Sequence, residues 1–230
     1  LDVAEEELRE FLASIPFAKP LTPEGRALTA PMIHVPAQFP APRVPAGRKH
    51  STQAAFGEIL AEIGRGQGEN AELAKRIVTT SPDVTVSTNL GPWVNRRGIF
   101  DRHKKNDVFR DAKLASAQRW GMSPEGQHVE LGIAEQNLFL VLAGLGLADR
   151  LYGARLLPIG TVYDPFVNRG LDALIYACYQ DARFLLVSTP SGLTLAPEGG
   201  QHQSVNTPLI GMAQDRLLSY EPAHADELAI

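Results

Sequence analysis

The residues best placed to do chemistry begin with Glu135, in the run H-V-E-L-G-I-A-E-Q-N at 128–137. That run reads as a short buried strand, a glycine turn at Gly132, and a helix with Glu135 in its first turn. The stretch behind it, L-F-L-V-L-A-G-L-G-L at 138–147, is apolar on every face, as in a buried helix. A carboxylate at the start of such a helix is favoured by the dipole and by free N–H groups. It also sits at an apolar mouth, where a charge is costly without a partner. Two readings stand: a residue for proton chemistry, or a glutamate that only complements the dipole.

Other candidates follow further along. Asn89 lies in T-N-L-G-P-W, Tyr163 and Phe166 in G-T-V-Y-D-P-F, and Glu198 and His202 in A-P-E-G-G-Q-H-Q. Aromatics beside polar groups suit a flat heteroaromatic ligand, stacked on one face and hydrogen-bonded at its edge. A buried glutamate can share a proton with a ring nitrogen of such a ligand. Histidine titrates where proton transfer near neutrality needs it. The plainer alternatives are core packing for the two aromatics, a loop-tip charge for Glu198, and a capping role for His202. No Walker loop, G-x-G-x-x-G, H-E-x-x-H or G-x-S-x-G occurs. The histidines lack metal-ligand spacing, so no metal ligand is assigned.

The elements that must carry these residues alternate between strand and helix. Residues 2–13 read as a helix. Residues 16–45 hold eight prolines in thirty positions and read as an extended linker, because proline fixes φ and lacks an N–H. Ser51 is a good N-cap for a helix through Ile63, and 71–79 reads as a second helix. Strands are expected at 83–87, before Gly132, at 154–159, at 183–188 and at 217–220. Helices are expected at 167–179 and 223–230, and the segment 91–126 gives mixed signals. The alternation predicts an α/β domain with a mainly parallel sheet. Ligands of such sheets bind at the C-terminal ends of the strands. Asn89, Glu135, Tyr163, Phe166, Glu198 and His202 all follow expected strand ends.

Composition bounds the rest. The 230 residues are 44% hydrophobic and 21% charged, with a net charge of −4. Basic residues form no block long enough for a nucleic-acid surface. The longest apolar run is too short to cross a bilayer. Cys178 is the single cysteine, which excludes an intrachain disulfide, fits a reducing cytoplasm and reads as core packing. The division expected is a helix and proline-rich linker over 1–49 and an α/β domain over 50–230. The chain reads as part of a longer one.

In order, E-L-G-I-A-E-Q-N, L-P-I-G-T-V-Y-D-P-F, S-T-P-S-G-L-T-L-A-P-E-G-G-Q-H-Q and L-L-S-Y-E-P-A-H-A-D-E-L-A resemble one family. It is the pyrimidine-binding domain of transketolase-like thiamine diphosphate enzymes. The T-x-S-G-x-T turn, the E-G-x-Q-H loop and the closing S-Y-E-P-A look most like the decarboxylating first component of homodimeric pyruvate dehydrogenase. The resemblance covers roughly 50–230 and implies a three-layer, doubly wound sheet. It implies that Glu135 hydrogen-bonds the aminopyrimidine ring of thiamine diphosphate and promotes its imino tautomer. It also implies that Phe166 stacks on that ring with Tyr163 and Asn89 near the cofactor. Glu198 and His202 would face the substrate, a 2-oxo acid such as pyruvate.

Departures are informative. Transketolases carry Asp where this chain has Asn89, which leaves the role of that residue open. G-R-K-H-S at 47–51 is similar to the T-R-K-x-S of transketolases, whose arginine contacts a sugar phosphate. Arg48 keeps ketol transfer between sugar phosphates as the alternative activity. E-L-G-I-A-E-Q also resembles deoxyxylulose-phosphate synthase, which the later motifs fit less well. The family binds the diphosphate through Mg²⁺ with a G-D-G…N motif on a separate domain, and no G-D-G occurs here. The resemblance therefore implies half an active site. A homodimer would complete it with the partner subunit's diphosphate-binding domain, and an acyltransferase core is a further partner. The isolated chain is expected to be inactive.

Overall fold

Six short runs build one parallel sheet. They are β1 (Ile77–Ser81), β2 (Ile99–Phe100), β3 (Met122–Ser123), β4 (His128–Glu130), β5 (Leu157–Val162) and β6 (Leu185–Ser188). The computed structural model describes residues 3–15, 30–38, 40, 47, 49–116 and 119–230. Across the sheet the order is β3-β2-β4-β1-β5-β6. β1 (I-V-T-T-S) and β5 (L-P-I-G-T-V) are buried over nearly their whole length, as central strands covered on both faces must be. Thr79 pairs with His128 on one side and Ile159 on the other. Every strand pairing is parallel, and Lys105 and Met122 add one isolated antiparallel bridge.

Parallel pairing needs crossovers, and helices supply them. In chain order they are α1 (Glu5–Ser14), α2 (Thr52–Ile63), α3 (Asn70–Arg76), α4 (Gly91–Arg97), α5 (Val108–Asp111), α6 (Glu135–Gly146), α7 (Ala148–Tyr152), α8 (Leu171–Tyr179), α9 (Thr207–Ala213) and α10 (Ala225–Leu228). α2, α3 and α4 cover one face, with Leu60, Leu73 and Trp93 packed around Ile77 and Ile159. α6 and α8 cover the other, with Leu138, Phe139, Leu142 and Leu174 around Val162. Each such side chain contributes roughly 1.5–3 kcal/mol on burial. This is the three-layer, doubly wound α/β arrangement.

Several boundaries differ from the expectations. The second helix stops at Arg76, and the first central strand is 77–81 rather than 83–87. Asp83 and Asn89 have positive φ, which bends 83–89 into turns despite its β-branched residues. The strand expected at 154–159 starts at Leu157, because Gly153 is left-handed and ends α7 just before it. The helix expected at 167–179 divides into a 3₁₀ segment, Asp164–Gly170, and α8. The strand expected at 217–220 makes no pairing, and Leu218 and Tyr220 are exposed. Ser51 caps α2 by accepting from the Ala54 N–H at 3.1 Å. The residues α1 presents are all exposed. Most of the proline-rich linker, and Arg48, lie outside the described residues.

Candidate functional site

A cleft of about 320 Å³ opens where β4, β1 and β5 end. The loop after β1 brings Asp83, the loop after β4 brings Glu135, and the segment after β5 brings Tyr163, Phe166 and Arg169. His202 closes it from the long loop after β6.

Glu135 is the first residue of α6 and is 8% exposed. The Arg169 Nη1 donates to its Oε1 at 2.7 Å. The Arg169 guanidinium also lies over the Phe166 ring, 4.0 Å from its centroid. Tyr163 and Phe166 stand parallel, 6.2 Å apart and 4° from coplanar. The His202 ring meets both edge-on, at 5.3 Å from Phe166 and 6.4 Å from Tyr163. Its Nδ1 is buried without a hydrogen-bond partner among the described residues, and its Nε2 lies 3.9 Å from Glu198.

The spacing of the wall comes from the 3₁₀ segment. A 3₁₀ helix has three residues per turn, so side chains at i and i+3 eclipse. Tyr163, Phe166 and Arg169 are three apart and stack up one side of it. Gly170 ends the segment against Phe139 of α6, so close that a Cβ would overlap the ring.

A second carboxylate braces the cleft. Glu130 ends β4, and its Oε1 accepts from the N–H groups of Asp83 at 2.9 Å, Leu131 at 3.1 Å and Gly132 at 3.4 Å. Thr85 donates to its Oε2 at 2.6 Å. The fully buried His128 lies behind, with Nδ1 2.8 Å from the Thr79 hydroxyl and Nε2 3.0 Å from the Thr85 hydroxyl. Because Thr85 spends its proton on Glu130, it accepts from His128 Nε2–H, and His128 Nδ1 accepts from Thr79. Burial pushes the Glu130 carboxyl up, but the His128 imidazole 3.6 Å away and the hydrogen bonds from Thr85 and the Asp83 N–H outweigh it and hold it at about 2. The loops carrying Asp83 and Glu135 are thereby tied together.

The structure brings Glu135, Tyr163, Phe166 and His202 into one cleft. Glu198 is exposed at its edge, beside His202. Asn89 lies away from the lining, in a left-handed turn that asparagine tolerates, packed on α2. A Cβ on Gly57 of α2 would come within 2.6 Å of the Asn89 carbonyl oxygen. Asp83 and Arg169 line the cleft and escaped the sequence reading. Asp83 was hidden by placing the strand six residues late, although S-P-D after a β-branched run is a turn signal. Arg169 was hidden by reading its segment with the α-helical period.

A flat ring with polar edges fits this set: a buried carboxylate, aromatic faces, apolar Val162 and an unpaired buried imidazole nitrogen. Among the described residues no group of three or more His, Cys, Asp or Glu side chains is placed to hold a metal ion. None of the described helices is long and apolar enough to cross a membrane.

Comparison with known proteins agrees with that fit. Residues 48–229 match the family model of the transketolase pyrimidine-binding domain, and the chain belongs to that family. The family is one of thiamine diphosphate-dependent enzymes. The pyruvate dehydrogenase E1 component of Corynebacterium glutamicum is 31% identical over 170 residues, 73% of this chain and 18% of that protein. The E1 component of Mycobacterium tuberculosis is 26% identical over 210 residues, 90% of this chain and 22% of that protein. The chain thus spans about a fifth of the length of these relatives. Among solved structures, a transketolase variant of Pichia stipitis in complex with fructose 6-phosphate superposes with a TM-score of 0.60 at 18% identity, covering 84% of this chain and 24% of the other. Campylobacter jejuni transketolase gives 0.51 at 16% identity, covering 93% and 25%. These two likenesses concern the fold.

Proposed function

We propose that this chain supplies the aminopyrimidine half of the active site of a thiamine diphosphate-dependent enzyme that decarboxylates a 2-oxo acid, pyruvate. The observation that carries the reading is Glu135, a buried carboxylate at a helix start facing an aromatic wall. The E1 relatives support pyruvate as the substrate. When bound, thiamine diphosphate supplies the electron sink for the carbanion left by loss of CO₂.

This chain's residues do the rest. Glu135 holds a proton at the edge of the aminopyrimidine, in a low-dielectric mouth where a single hydrogen bond to a carboxylate is strong. Phe166, Tyr163 and Val162 orient the ring and exclude water. His202 presents its unpaired Nδ1 to the substrate side, and Glu198 steadies the imidazole from the rim. Asp83 adds a carboxylate at the mouth. Asn89 serves the cofactor side indirectly, through the turn that seats the β1 loop on α2.

Residues 1–49 form the connection from another domain, and 50–230 form the pyrimidine-binding domain. Mg²⁺ and the diphosphate belong to a domain outside this chain, contributed across a cytoplasmic homodimer. An acyltransferase core receives the product. The isolated chain is inactive. Ketol transfer between sugar phosphates is the alternative and turns on Arg48.

The test uses the full-length protein with thiamine diphosphate and Mg²⁺. Pyruvate-dependent reduction of an artificial electron acceptor is expected, and Glu135→Ala abolishes it. Ketol transfer from xylulose 5-phosphate to ribose 5-phosphate, without pyruvate oxidation, would replace the decarboxylase reading with the alternative.

A further inference from the structure

Arg169 makes two contacts at once. It donates to Glu135 Oε1 at 2.7 Å and lays its guanidinium 4.0 Å from the centroid of Phe166. A guanidinium is flat, carries donors around its edge and stacks on aromatic faces. An amino-substituted nitrogen heterocycle has the same attributes. The proposed function gives such a ring the same two partners, Glu135 at an edge nitrogen and Phe166 at a face. One side chain therefore makes both of the ring's contacts. We propose that Arg169 is an internal competitor of the aminopyrimidine ring and that ligand entry requires it to leave. The inference rests on the pyrimidine-binding reading of Glu135 and Phe166.

The surroundings allow Arg169 to move while its partners stay. Its side chain is 54% exposed, so leaving exchanges an ion pair for hydration. Glu135 is 8% exposed and cannot follow it into water. Once Arg169 is gone, the carboxylate needs a new donor, which an amino or protonated ring nitrogen supplies. The backbone is held in place, because Gly170 is pressed against Phe139 with no room for a Cβ. The motion is therefore a side-chain swing from a fixed 3₁₀ segment.

Competition of this kind lowers ligand affinity by the ratio of closed to open forms. A partly exposed ion pair and a cation–π contact each favour the closed form roughly threefold, or about tenfold together. Arg169→Met removes the charge and keeps the length. It is expected to bind thiamine diphosphate about tenfold more tightly than wild type. Arg169→Lys keeps the charge without the planar face and is expected to gain less.

The experiment is calorimetric titration of the full-length enzyme and both variants with thiamine diphosphate in Mg²⁺, with ligand-free thermal melts to establish folding. Tighter binding in the order wild type, Lys, Met supports the competitor. Equal or weaker binding by the folded variants, with wild type still binding, overturns it and makes Arg169 a positioning residue of the bound state. Failure of the underlying reading looks different. Wild type then shows no saturable binding, or binding that Glu135→Ala leaves unchanged, and the competitor falls with it.

Discussion

Replacing Glu130 with Gln is expected to lower stability by an amount that depends on pH in a defined direction. The carboxylate has an ordinary value of 4.5 and is held at about 2 in the fold. That difference of about 2.5 pH units corresponds to roughly 3 kcal/mol, at ~1.36 kcal/mol per unit. The side chain is 31% exposed, and solvent screening reduces the figure to about 1–2 kcal/mol. A carboxyl lowered by folding stabilises the protein above its unfolded value and stops doing so as pH falls through its folded value. The wild-type advantage over Glu130→Gln should therefore be full above pH 4.5 and fade between pH 4.5 and about 2. Gln keeps an oxygen for the Asp83, Leu131 and Gly132 N–H groups, but its amide nitrogen cannot accept from the Thr85 hydroxyl, so a pH-independent cost adds to the loss of charge. Urea unfolding of both proteins at half-unit steps from pH 2 to 7 measures the difference directly. A gap that stays constant over that range, or widens toward acid, would refute the assignment of Glu130 as an ionised brace.

Three further outcomes are expected. His202→Ala should lower turnover of pyruvate by about 10²-fold while changing thiamine diphosphate affinity less than about threefold, since its free Nδ1 is assigned to the substrate side; steady-state kinetics with calorimetry separates the two. Gly170→Ala forces a Cβ into the buried Phe139 ring and should destabilise by about 1–3 kcal/mol, read from the midpoint of chemical unfolding. Ser51→Ala removes the side-chain acceptor that caps the start of α2 and should cost about 1 kcal/mol in the same assay.

The centre of the site was legible because two signals coincide there. An all-apolar run marks α6 as a core element, although it is buried on one face only and Leu140 is 56% exposed, and a charged residue at the first position of its buried face sits at a mouth. The α/β class followed from alternation, and Ser51 announced α2 by its side chain. What stayed hidden has local causes. No glycine or proline separates α3 from β1, so K-R-I-V-T-T reads as helix until the sheet claims it. Asp83 was thereby lost, since its position depends on where the strand ends. Phe166 was found by its chemistry, but its coupling to Arg169 depends on a 3₁₀ turn, which proline at the start permits and which no residue type announces. The network around Glu130 was invisible for another reason: its partners Asp83 and Thr85 lie 47 and 45 residues away in the chain and meet it only through sheet register.

The three-residue repeat from Tyr163 to Arg169 behaves as a ruler. Any substitution that keeps its length leaves the three side chains in line. One inserted residue would turn everything beyond it by about a third of a circle, carrying Arg169 off Glu135 while Phe166 stayed put. Gly170 would leave its slot on Phe139 in the same step. This stretch should therefore admit changes of residue type far more readily than changes of length, the reverse of what surface loops usually allow.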